Sequence, residues 1–207
     1  MMHNYTILSG KEVSDHVYTN LHDRIEHLLK NNIQPGLAAV LVGENPASKI
    51  YISMKTRIFH KLGLRTETFT LSAECSQSEL IQVIEKINND STFHGILVQL
   101  PLPNHIDSKS IINSICPKKD VDGFHPENAG LLSIGSPRFI PCTPKGVMRI
   151  FEYYKISLSG KHVVVLGRSN IVGRPMSILT SLKNKGANST TTLCHSGSVN
   201  IEKITKI

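Results

Sequence analysis

Tyr51 and Lys55 stand four residues apart, in a run that opens Asn45-Pro46 and that predicts a helix through Leu62, closed by Gly63. Both side chains then leave one helical face about a turn apart. Ile50, Ile52, Met54 and Ile58 surround the lysine in sequence. A lysine amine held partly out of water loses some preference for its charged form, so it can take and give protons near neutral pH. The same spacing also fits a solvated lysine beside a snorkelling tyrosine. Gln99 ends the apolar run Gly95-Ile96-Leu97-Val98 and is followed by Leu100-Pro101-Leu102-Pro103. That is the carboxyl end of a predicted strand, where open α/β sheets bind ligands, and a primary amide there can orient an amine or a carbonyl. Its plainer reading is a strand-end amide bonded to a loop. Lys119-Asp120-Val121-Asp122-Gly123 sets two carboxylates in a glycine-closed turn. One can accept paired N–H groups from a flat heterocycle while the other holds the turn; two acids without further ligands do not make a metal site.

A second group of residues has phosphate chemistry. The apolar run His162–Leu166 passes directly into Gly167-Arg168-Ser169-Asn170-Ile171-Val172-Gly173, then into a predicted helix. Strand, tight glycine turn and helix start form the arrangement in which backbone N–H groups and the helix dipole receive a phosphate. Ser169 stands where a dinucleotide fingerprint has its second glycine, and a plain βα turn with a solvated Arg168 fits the same residues. The next predicted strand, Thr190–Cys194, leads into His195-Ser196-Gly197, with no acid to accept from a ribose hydroxyl. With Arg168 in the turn, this end favours a 2′-phosphate, so NADP is expected rather than NAD.

These residues need strands and helices to position them. Leu37–Gly43 and His94–Leu100 are continuous apolar runs, the pattern of strands covered on both faces, and Arg65–Leu71 alternates. Between them lie helical patterns. Ser9-Gly10-Lys11-Glu12 and Ser76-Gln77-Ser78-Glu79 read as capping boxes, the first opening a helix to about Lys30 and the second one carrying Leu80, Val83, Ile84 and Ile87 on one face. A short helix is expected from about Asp107 to Ile115, then helices from Thr143 to about Tyr154 and from Gly173 to Lys185. The alternation predicts an α/β protein with mostly parallel sheets. Residues 116–143 are rich in Gly, Pro, Asp and Asn with little periodicity, so the boundary is expected there: a catalytic domain over 1–138, and over 139–207 an incomplete Rossmann-type dinucleotide domain.

Composition excludes several classes. The chain has 207 residues, 40% apolar and 19% charged, enough for a proper core and unlike disordered or fibrous sequences. No apolar run approaches the roughly 20 residues of a membrane span, and Met1–Thr6 lacks the pattern of a signal peptide, so a cytoplasmic location is expected. Cys75, Cys116, Cys142 and Cys194 are scattered, which predicts reduced thiols and no zinc site. Lys and Arg outnumber Asp and Glu by 23 to 16, but there is no basic block, and aromatics are only 5% of residues. Nucleic acid is therefore a poor fit, and an anionic small molecule a better one.

Five ordered segments together resemble the bifunctional methylenetetrahydrofolate dehydrogenase/cyclohydrolase family of one-carbon metabolism. They are Gly43-Glu-Asn-Pro-Ala-Ser-Lys-Ile-Tyr51-Ile-Ser-Met-Lys55; Gly95-Ile-Leu-Val-Gln99-Leu-Pro-Leu-Pro103; Lys119-Asp-Val-Asp122-Gly123 with Asn128-Ala-Gly130; Pro141-Cys-Thr-Pro-Lys-Gly146; and Gly167-Arg-Ser-Asn-Ile-Val-Gly173. The resemblance implies that 5,10-methylenetetrahydrofolate gives up a hydride to NADP, and that water opens the resulting methenyl compound to 10-formyltetrahydrofolate. It implies Lys55 as the central catalytic residue of the hydrolytic step with Gln99 tuning it, Tyr51 stacking on the folate, Leu100 and Pro101 beside it, and Asp122 holding the pterin. Thr143, Gly167, Arg168, Ser169, Ile171, Gly173, His195 and Ser196 match positions that line the dinucleotide site. A homodimer follows from the same resemblance, while no metal is expected because the two acids of 119–123 lack further ligands. The family's chain continues past the point that matches Ile207, and Gly197 stands where a larger polar residue is expected. The alternatives are a truncated remnant, inactive or binding folate alone, with an open sheet edge near Thr190–Cys194 and low solubility, and a short-chain dehydrogenase, which shares Tyr-x-x-x-Lys but places its nucleotide turn first.

Overall fold

The computed structural model describes residues 6–206; the opening Met1–Tyr5, read above for a leader pattern, and Ile207 lie outside them. Two compact units emerge, one comprising Leu21–Asn128 and the other comprising the residues up to Asn20 together with Ala129 onward. The helix α1 (Gly10–Lys30) therefore contributes to both. Its apolar stripe is as expected, with Val13 buried and Val17, Leu21, Ile25 and Leu28 half-buried. Within the second unit, the Ser9 N–H donates to the Tyr154 hydroxyl at 2.7 Å.

In the first unit, β1 (Gly36–Val42) leads into α2 (Pro46–Lys61), β2 (Arg65–Leu71), α3 (Gln77–Asn89), β3 (Gly95–Val98) and α4 (Ser108–Ser114). The strands form a parallel sheet in the order β2-β1-β3, with Val42 opposite Leu71 and Val40 opposite Val98. Every residue of β1 is buried, because the sheet is covered on both faces. One face carries Ala38, Val40, Val42, Ile96 and Val98 against Leu80, Ile84 and Ile87 of α3 and Ile111 of α4; the other carries Ala39 and Leu41 under Ile52 of α2. Helix starts follow the capping logic: Asn45 accepts from Ser48 N–H at 3.1 Å, Ser76 and Glu79 form a reciprocal box, and Asp107 accepts from Lys109 and Ser110.

The stretch 116–143 is not wholly irregular, since α5 (Pro126–Ser133) lies within it. The pattern hid this helix because Glu127, Asn128 and Gly130 interrupt any apolar stripe, and its first turn is held by a buried Asn128 rather than by an apolar face. In the second unit, α6 (Cys142–Tyr153) precedes β4 (His162–Leu166), α7 (Gly173–Ser181), β5 (Thr190–Cys194) and α8 (Ile201–Ile204). β4 and β5 pair in parallel, from His162 opposite Thr190 to Leu166 opposite Cys194. The helix expected to reach Lys185 stops at Ser181. Beyond Leu182 the chain reads Lys183-Asn184-Lys185, with nothing apolar to bury, and the N–H groups of Asn184 and Asn188 turn back to Leu182 O. No helix among the described residues is long and apolar enough to cross a membrane.

Candidate functional site

The carboxyl edge of the three-stranded sheet carries Gln99 and Asp122. Gln99 follows β3 directly, and its N–H donates to Val40 O at 2.9 Å, which fixes it beside the end of β1. Its side-chain Nε2 donates to Leu100 O at 2.7 Å, so the loop-bonding role is real and the amide is turned with Oε1 as its remaining acceptor. Leu100 is half-buried and Pro101 exposed. Asp120, outside the strands, pairs with Ile96 of β3 in a parallel bridge, which puts Asp122, two residues further on and half-buried, level with the end of that strand.

α2 starts from the same edge, after β1. Lys55 is half-buried with its Nζ 4.2 Å from the centroid of the Tyr51 ring, the one-turn juxtaposition that the spacing predicts. An ammonium over an aromatic face is held by the ring quadrupole, which fixes where the proton-carrying nitrogen stands. The apolar surround is thinner than the sequence led us to expect. Ile52 is buried and Ile58 half-buried, whereas Ile50 and Met54 are 61% and 48% exposed and Tyr51 is 50% exposed. The cause is rotational: α2 rests on the sheet through the side that carries Ser48 and Ile52, and this turns Ile50 and Met54 outward. A cavity of about 580 Å³ lies where α2 meets β1 and β2, lined by Leu41, Ile52, Ser53, Arg57 and Thr68 among others, and neither Tyr51 nor Lys55 lines it.

The second set lies at the carboxyl ends of β4 and β5. Gly167 N–H donates to Cys194 O at 2.7 Å, joining the glycine turn to the end of β5. A side chain at Gly173 would bring its Cβ within 1.8 Å of Gly167 O, so only glycine lets the start of α7 pack on the turn. Ser169, in the place of a second glycine, accepts from Val172 N–H at 3.1 Å and Gly173 N–H at 3.3 Å, capping the helix start with its own hydroxyl. Arg168 and His195 come together, guanidinium nitrogen to Nε2 at 3.4 Å. His195 Nδ1 accepts from Gly197 N–H at 3.0 Å, which in the neutral ring leaves the hydrogen on Nε2, facing Arg168. Two sets of donors then converge on one space, which suits a phosphate. A Cβ at Gly197 would lie 3.2 Å from the imidazole, a tight approach to the His195 side chain. Ile171 and Ser196 are exposed beside this end, and Thr143 is exposed in the first turn of α6 with no described bond to the turn.

Sequence reasoning missed Asn128, which is fully buried and donates to the Asp120 carboxylate at 2.8 Å. Its signal was the segment Asn128-Ala-Gly130, noted for resemblance but given no role. No cluster of three metal-ligating side chains occurs among the described residues.

Comparisons with known proteins match the stretches of chain that carry the two sets. Residues 8–122 match the tetrahydrofolate dehydrogenase/cyclohydrolase catalytic domain, and residues 141–207 match the NAD(P)-binding domain of the same enzymes. The bifunctional protein FolD of Enterococcus faecalis is 48% identical over 201 residues, covering 97% of this chain and 70% of the relative. Among solved structures, the bifunctional FolD dehydrogenase/cyclohydrolase of Campylobacter jejuni superposes with a TM-score of 0.91 at 41% identity, covering 96% of this chain and 69% of that one. The Trypanosoma brucei enzyme, solved with NADP cofactor and an inhibitor, gives a TM-score of 0.88 at 30% identity over 97% of this chain and 67% of its own. With a catalytic-domain match and a nucleotide-domain match in the right order, and relatives nearly half identical over almost its whole length, this chain belongs to the tetrahydrofolate dehydrogenase/cyclohydrolase family.

Proposed function

We propose that this chain performs both folate one-carbon steps of its family, using NADP as its dinucleotide. In the first, 5,10-methylenetetrahydrofolate loses a hydride and becomes the methenyl compound. In the second, water adds to the methenyl carbon, the bond from that carbon to N5 breaks, and 10-formyltetrahydrofolate leaves. Lys55 takes the proton from the attacking water and returns one to N5, with Gln99 Oε1 accepting from the amine to orient it. The half-exposed Tyr51 ring stacks on the folate, Leu100 and Pro101 line its side, and Asp122 accepts the pterin's adjacent N–H groups. The observation that carries this reading is the Lys55 side-chain nitrogen 4.2 Å over the Tyr51 ring, on the helix that leaves the sheet's carboxyl edge.

NADP supplies the hydride acceptor when bound. The residues present fit it: Gly167 and Gly173 make the close turn, Ser169, Ile171 and Thr143 border it, and Arg168, His195 and Ser196 offer donors to a 2′-phosphate. The protein's part in this step is to hold the methylene carbon against the nicotinamide. Matches over both 8–122 and 141–207 support the two-step enzyme over a remnant that binds folate alone. The same reading makes the protein a cytoplasmic homodimer; sedimentation velocity tests the dimer. Incubation with 5,10-methylenetetrahydrofolate and NADP tests the function: NADPH and then 10-formyltetrahydrofolate are expected. Folate binding without NADP binding, by calorimetric titration, would instead favour the remnant.

A further inference from the structure

Asp120 stands two residues before Asp122 and is only 1% exposed. Its Oδ2 accepts from Asn128 Nδ2 at 2.8 Å and from His125 N–H at 2.8 Å. Asn128, itself fully buried, also donates to Pro117 O at 2.9 Å. Both donors to Asp120 are uncharged. A buried carboxylate satisfied this way is a poor means of gaining stability, because desolvation offsets what its hydrogen bonds return. Its use is better sought in what it fixes.

What it fixes is the turn that carries Asp122. Ile96 N–H donates to Lys119 O at 2.7 Å, and Gly123 N–H donates to Asp120 O at 3.2 Å, so the segment is laid against β3 and closed behind Asp122. Lys119 Nζ donates to Ile87 O at 3.0 Å and Asp90 O at 2.7 Å, which anchors the segment's start on the carboxyl end of α3. The Asp120 side chain ties the same segment to 125 and 128 on its far side. Asp122 is thereby held from both ends, and recognition of two adjacent N–H groups by one carboxylate depends steeply on angle.

We propose that Asp120 and Asn128 are positioning residues that aim the Asp122 carboxylate at the pterin's N–H groups. The inference rests on the reading of Asp122 as the pterin acceptor, and the test separates the two. Dissociation constants for tetrahydrofolate and for NADP are measured calorimetrically on the full chain and on D122N, D120N and the D120N/D122N double variant. We expect D122N to weaken tetrahydrofolate about tenfold or more and D120N roughly fivefold to tenfold, with the double variant no weaker than D122N alone, since Asp120 acts through Asp122. NADP affinity stays unchanged in all of them. Factors that multiply in the double variant, or NADP affinity falling in step, would overturn the proposal and leave Asp120 a general support of the fold. If D122N binds tetrahydrofolate like the parent, the Asp122 reading fails and this inference with it; if D122N is weak but D120N is not, only this inference fails. Should D120N not fold, N128S removes one donor while leaving the carboxylate in place and enters the same cycle with the same outcomes.

Discussion

Arg168 and His195 show how a site depends on single atoms. Because Gly197 N–H occupies Nδ1, a neutral imidazole presents its own N–H toward the guanidinium, and an anion accepting from both would relieve the conflict. Arg168→Ala is therefore expected to weaken NADP about tenfold or more and NAD much less, since a charge-assisted bond to phosphate is lost only with the former. Parallel titrations with the two dinucleotides check this, and equal losses would remove Arg168 from the 2′-phosphate. The Tyr51 and Lys55 pairing was legible because residues four apart on a helix always meet. The dryness around Lys55 was not: which of Ile50, Ile52 and Met54 is covered depends on how α2 is rotated against the sheet, a tertiary fact. Gln99 was legible as a strand-end amide, whereas its commitment to Leu100 O required the loop's path.

Elements were readable where their ends carry their own chemistry. The Ser76 and Glu79 box forms as its residues predict, so Ser76→Ala should cost about 1 kcal/mol of stability, measured by denaturant unfolding. The Ser76 backbone N–H and hydroxyl hold the Glu79 carboxyl below its ordinary 4.5, and the Ser110 hydroxyl with the Lys109 and Ser110 N–H groups hold Asp107 below 3.8. Carboxylates depressed in the folded state contribute stability that is present above those ordinary values and is lost as pH falls through the lower folded ones. Stability to denaturant should thus hold down to about pH 4 and decline modestly below it; S76A should show a smaller acid loss. Gly173→Ala is expected to cost about 2–3 kcal/mol and to weaken NADP, because its Cβ would meet Gly167 O at 1.8 Å. Periodicity missed α5 and overran the end of α7. In the first, a buried Asn128 rather than an apolar stripe holds the helix; in the second, apolar residues simply stop at Leu182.

At the scale of the whole chain, alternating strands and helices announced parallel α/β units, and the glycine turn after His162–Leu166 marked which one takes the dinucleotide. The grouping of the first residues with the second unit was beyond sequence reading, because it joins residues as far apart as Ser9 and Tyr154, 145 positions from one another. Binding of NADP only to the folded form should stabilise the protein by about 2.7 kcal/mol at a hundredfold excess over its Kd, seen as a raised Tm. Central to the account is that the amine at Lys55 moves the protons of the hydrolytic step, and hydrolysis of supplied 5,10-methenyltetrahydrofolate by Lys55→Gln tests this most directly. The rate should fall by about 100-fold or more, the usual contribution of a positioned acid–base group, while tetrahydrofolate still binds. A variant that hydrolyses the methenyl compound at the parent's rate would show that the proton transfers belong to another residue.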